Sequence, residues 1–139
     1  MEWLFWALLS ALFAGVTALL AKIGVAGINS NLATAIRTTV ILLFSWIIAL
    51  ATTRSAEFWS IGKRTWVFLV LSGIATGLSW LCYFRALQLG PISKVAPIDK
   101  LSVVVAMALA ITFLGEKLDL REGIGAGLIV LGAIVLAWK

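Results

Sequence analysis

The chain has 139 residues, 63% of them hydrophobic, with 11 basic and 6 acidic side chains and a formal charge of +5; its mean hydropathy is +1.12. A soluble domain of this size needs more polar surface than these side chains supply, so the bilayer is the expected solvent. With no His and a single Cys, Cys82, an intrachain disulfide, a Cys/His metal site and His-based acid–base catalysis are excluded, and the Lys and Arg residues are too dispersed for a nucleic-acid footprint.

An apolar stretch of about 20 residues crosses a hydrocarbon core of about 30 Å, and five stretches reach that length. The first runs from Trp3 to about Gly27. It lacks the basic n-region of a signal peptide and is expected to be a mature spanning helix. Trp3, Trp6, Ser10, Phe13, Thr17 and Gly24 share one of its faces. The second, about residues 32–51, aligns Thr34, Thr38 and Ser45, with Arg37 beside them.

The third span, about residues 65–87, carries the clearest pattern. Ser72, Thr76, Ser79 and Tyr83 are spaced i, i+4, i+7 and i+11, which puts them in a wedge of about 60°. Each hydroxyl can bond the carbonyl four residues back. Four aligned hydroxyls favour the other outcome, a wedge turned toward protein or water, because facing lipid gains them nothing. Trp80 lies beside the wedge as a candidate cleft wall, whereas Trp3, Trp59, Trp66 and Trp138 fall where an interfacial aromatic belt belongs. Three weakly polar faces predict a shared central cleft suited to an organic solute.

The fourth span, about residues 91–114, is entered through Lys94, Asp99 and Lys100. Pro97 removes a backbone donor two residues before Asp99 and is expected to kink the helix. Connectivity brings Lys22, Arg37, Lys94, Asp99 and Lys100 to one end of the bundle. A vestibule of that sign draws solutes bearing a carboxylate or phosphate. Lys22 and Arg37 are expected to recognise the group. Asp99, about 12 Å into the span by helical rise, is expected to meet one of them and is the leading candidate for proton exchange with a substrate. The bland alternative is that each Lys snorkels to the interface.

The fifth span, about residues 122–138, contains Gly123 and Gly127 in a GxxxG pair, as Gly73 and Gly77 do in the third. Such faces let helix backbones approach closely. With Gly125 and Gly132 added, and no Ser or Thr, this helix is expected to serve packing, within the bundle or between protomers. The connectors are too short to fold separately, so residues 1–139 are read as a single transmembrane domain. Five spans place Arg54, Lys63, Arg64, Lys117 and Arg121 on one side, against Lys22, Arg37, Arg85, Lys94, Lys100 and Lys139 on the other. That is almost no charge bias, and a chain without bias can insert in both senses.

Four segments carry a family resemblance: FAGVTALLAKIGV, AIRTTVILL, WLCYFRALQLGPISKVAPIDKLSVVV and LGEKLDLREGIGAGLIVLGAIVL. In this order they resemble the EamA-type branch of the drug/metabolite transporter superfamily. Lys22, Arg37, Arg85, Lys94, Pro97 and Glu116 occupy the family's pattern positions. The resemblance implies a bundle of two inverted five-helix halves around a cavity, exporting or exchanging amino acids, other metabolites or drug-like solutes by alternating access. This chain matches one half. Two copies inserted in opposite senses, an antiparallel homodimer, restore the inverted repeat, as does an oppositely oriented homologous chain. The small multidrug resistance transporters are a related precedent, but their essential acidic residue within helix 1 has no counterpart here after Glu2.

The expectation is therefore an all-α, multi-pass protein of the bacterial inner membrane that moves small organic solutes. Ser10, Thr17, Thr38, Ser45, Ser72, Thr76, Ser79, Trp80 and Tyr83 would line its path, with Lys22, Arg37 and Asp99 at one end. A small-anion channel and a subunit of a lipid-linked sugar flippase are the alternatives. No cofactor and no enzymatic activity is expected, since no nucleophile–base constellation is present.

Overall fold

The computed structural model describes residues 2–54 and 60–138, and Trp59 and Lys139 lie outside the described residues. The described residues form helices and connecting turns, with no β-strand among them. The helices are α1 (Glu2–Gly24), α2 (Ser30–Thr52), α3 (Lys63–Leu89), α4 (Ile92–Asp99), α5 (Ser102–Leu109) and α6 (Leu120–Ala137), with a π-helical turn at Ala110–Leu114. Five stretches are long and apolar enough to cross a membrane: α1, α2, α3, Ile92–Leu114 and α6. The protein is an all-α multi-pass membrane protein.

The helix ends follow from local chemistry. The first helix stops at Gly24, short of the expected Gly27, and Gly27 turns the chain at φ +78°, a conformation open to glycine. Asn29 caps α2, its side chain accepting from the Asn31 N–H at 2.8 Å. Asp119 and Glu122 form a capping box at the start of α6. The Asp119 N–H donates to Glu122 Oε2 at 2.9 Å and the Leu120 N–H to Asp119 Oδ1 at 2.7 Å, satisfying donors that the first turn leaves over.

The fourth span is not the continuous helix expected over residues 91–114. It breaks between Asp99 and Ser102. Pro97 has no N–H to offer the preceding turn, and the chain beyond it tightens. The Lys100 and Leu101 N–H groups donate to the carbonyls of Pro97 and Ile98, three residues back, at 3.1 and 3.0 Å. Val103 and Val104 donate in the same way to Lys100 and Leu101. Asp99 and Lys100 thus sit at a break, on a stretch of i→i−3 bonding.

Two compact units are distinguishable, one formed by Ile23–Gln88 and the other by the chain up to Lys22 together with Leu89 onward. In the first, Val25, Ser30, Ala33, Thr34, Phe84 and Leu87 are buried, and all lie at or near the start of α2 or the end of α3. Gln88 clasps this end: its Nε2 donates to the carbonyls of Ile28 at 2.6 Å and Val25 at 3.3 Å, while its Oε1 accepts from Arg85 Nη1 at 3.0 Å. In the second unit α4 packs along α6, where Ala133 is buried.

Most large apolar side chains of the spans are exposed, as they are where lipid is the solvent. Burial is thus scarce, and its loss is costly. Leu87 is fully buried and Leu89 is 74% exposed. Leu87→Ala is expected to lower the stability of the detergent-purified protein by about 2–5 kcal/mol, and Leu89→Ala to leave it nearly unchanged. Thermal unfolding of both variants checks this; equal losses would contradict the placement of the packed end.

Candidate solute pathway

The side chain of most chemical interest is Arg37, in the second turn of α2. Its guanidinium carbon lies 4.3 Å from the Trp80 ring centroid and 5.4 Å from that of Phe84. Both rings belong to α3, one helical turn apart. Trp80 is half-buried and Phe84 only 3% exposed, so the platform beneath the cation is itself packed. Such cation–π contacts gain strength when desolvated. Among the described residues no carboxylate pairs with Arg37 and none of its donors is hydrogen-bonded. Trp80 was legible as a neighbour of the polar wedge. Phe84 was missed, although its i+4 relation to Trp80 was available as a signal.

The hydroxyls do not all bond alike. Thr38 Oγ1 donates to the Thr34 carbonyl at 2.8 Å, Thr34 Oγ1 to the Ser30 carbonyl at 2.9 Å, and Thr76 Oγ1 to the Ser72 carbonyl at 2.8 Å. These threonines satisfy themselves within their own helices. Ser10, Thr17, Ser45, Ser72 and Ser79 make no side-chain hydrogen bond with a described residue. Ser72, Thr76 and Ser79 are exposed and Tyr83 is half-buried. Thr38 and Ser45, with Ile41, Leu42, Trp46 and Ala49, line an open groove of about 350 Å³ along one face of α2.

The other charges at this entrance have partners within the chain. Lys22 Nζ donates to the Gly90 carbonyl at 2.8 Å. Lys94 Nζ reaches the carbonyls of Ala137 and Trp138 at 3.4 and 3.5 Å, where a cation complements the C-terminal end of α6. Asp99, expected to meet Lys22 or Arg37, has its neighbour Lys100 as an ion-pair partner, at 3.6 Å. That pair is solvent-accessible and contributes little. At Gly73, Gly77, Gly123 and Gly127 an added methyl group would meet no atom of the described residues within 4 Å.

Lys22→Met removes the donor to Gly90 and is expected to lower the melting temperature of the purified protein. Lys100→Met, which breaks only the accessible pair, is expected to leave it unchanged. An unchanged melting temperature for Lys22→Met would contradict the structural role given to that ammonium.

Residues 1–138 match the EamA-like transporter family. A Sinorhizobium protein named "Uncharacterized transporter in cobO 3'region" is 55% identical over 136 residues, covering 98% of this chain and 96% of its own length. A Yersinia pseudotuberculosis protein named "Probable 4-amino-4-deoxy-L-arabinose-phosphoundecaprenol flippase subunit ArnE" is 31% identical over 71 residues, which is 51% of this chain and 62% of that relative. No solved structure matches the chain. The family match across nearly the whole chain, on five apolar helices, makes this protein a member of the EamA-like transporter family.

Proposed function

We propose that the protein is one half of an inverted-repeat transporter, a single transmembrane domain that works as an antiparallel homodimer in the bacterial inner membrane. It moves small organic metabolites by alternating access, and its cargo is amino-acid-like, anionic or drug-like, carried in the direction of efflux. The observation that carries this reading is Arg37, a cation inside an apolar span, stacked on aromatic rings with no ion pair to a described residue. Ionisable groups at that depth mark solute pathways more often than they serve stability. The serine hydroxyls of α1, α2 and α3 that lack a hydrogen-bond partner among the described residues, and the open groove along α2, suit a wall facing a solute or a second copy. The near absence of charge bias supports insertion in both senses.

A second reading has a specific observation behind it. The relative from Yersinia pseudotuberculosis is named as a flippase subunit for a lipid-linked sugar, and by that analogy the chain would act with a different partner chain.

Flux through the purified protein, reconstituted alone in liposomes, separates these readings. The expected result is saturable uptake of amino-acid-like or anionic solutes, accelerated by solute on the far side, and reduced by about tenfold or more in Arg37→Gln, the loss of one charge-assisted contact. Non-saturating conductance would indicate a channel. Flux that requires a second, different chain would favour the flippase reading.

A further inference from the structure

A guanidinium offers two kinds of surface. Its flat faces stack on aromatic rings, and its edge carries five N–H donors in a rigid fork. In the Ile23–Gln88 unit the guanidinium carbon of Arg37 lies over the rings of Trp80 and Phe84, 4.3 and 5.4 Å from their centroids. The edge is left over, since no described residue accepts from it. Nor are the hydroxyls of Thr34 and Thr38 available to donate elsewhere, because each is turned onto its own helix. Arg37 stands about 10 Å from Ser30 by helical rise, in a span where donors without an acceptor are costly. A planar or tetrahedral oxoanion supplies two parallel acceptors to such an edge.

We infer that Arg37 is an edge-on receptor for an oxoanion, held in orientation by Trp80, and that the ligand carries a carboxylate or a phosphate. Trp80 is a positioning residue, acting through the guanidinium. Phe84 seats the pair. Lysine cannot replace Arg37, because an ammonium has neither the stacking face nor the fork. The inference deepens the proposed transport function and rests on it only in taking the α2–α3 surface as the solute's path. The same chemistry fits a free metabolite and a lipid-linked phosphate.

Site-resolved modification by phenylglyoxal, which attacks the guanidinium edge, tests this on the wild-type protein in dodecyl maltoside. Benzoate and phenyl phosphate are expected to slow modification of Arg37 by about tenfold, the worth of a charge-assisted pair, with Arg121 unaffected and benzamide inert. Protection by these soluble anions assigns a metabolite. Protection by dihexanoyl phosphatidylglycerol alone, and not by dihexanoylglycerol, assigns a lipid phosphate. Protection by no anion, or equal protection by benzamide, overturns the receptor. In Trp80→Leu, protection is expected to fall several-fold while Arg37 remains, and unchanged protection would overturn the positioning role. If Arg37→Lys folds, its loss of anion-dependent thermal stabilisation is expected, and full retention contradicts the need for a fork. Because binding is read without flux, liposomes that carry nothing leave this result standing. Flux of neutral solutes without protection at Arg37 sinks the inference alone.

Discussion

Helices in hydrocarbon gain nothing by hiding apolar surface from lipid, which is as apolar as they are. What joins them is close packing and polar contact, and among the groups in need of partners are the carbonyls that helix ends and turns leave unsatisfied. Long side chains answer that need throughout this protein. Gln88 reaches the Val25 and Ile28 carbonyls, Lys22 the Gly90 carbonyl, and Lys94 the last carbonyls of α6. Removing any one leaves a backbone acceptor without its side-chain donor.

This constraint sorts the charges that crowd the entrance of the fourth span. Read as a cluster, Lys22, Arg37, Lys94, Asp99 and Lys100 resemble a vestibule with one net purpose. Lys22 and Lys94 have backbone carbonyls as partners, however, and Lys100 is the ion-pair partner of Asp99 at the break in the span. Arg37 is different in kind. Its contacts use the ring faces of Trp80 and Phe84, which hold a guanidinium in place without consuming its donors. An arginine oriented but chemically unspent is suited to a ligand that comes and goes.

The spans were readable from the chain because apolar length alone decides them in a bilayer. The cap of α6 went unread, although Asp119 and Glu122 stand at capping-box spacing. Pro97 signalled a distortion, but its placement at Lys100–Leu101 depends on how the next turn tightens, which periodicity does not report. Spacing does not report the chemistry of the α3 hydroxyl stripe: Thr76 bonds its own helix, while Ser72 and Ser79 make no side-chain hydrogen bond with a described residue. Most opaque was the pairing of Arg37 with Trp80. Helical periodicity tells which residues share a face, not which face of another helix stands opposite.

At the GxxxG glycines of α3 and α6 the described residues leave open space where a side chain would stand, and most large apolar side chains of the spans are exposed. Under the proposed antiparallel homodimer a second copy covers part of this surface and completes the inverted repeat. That claim is tested most directly by locating the C-terminus in cells with paired fusions, one reporter active only in the cytoplasm and one only outside it. Strong signal from both is the expected result. Signal from one side alone would contradict an antiparallel homodimer and require an oppositely oriented partner chain.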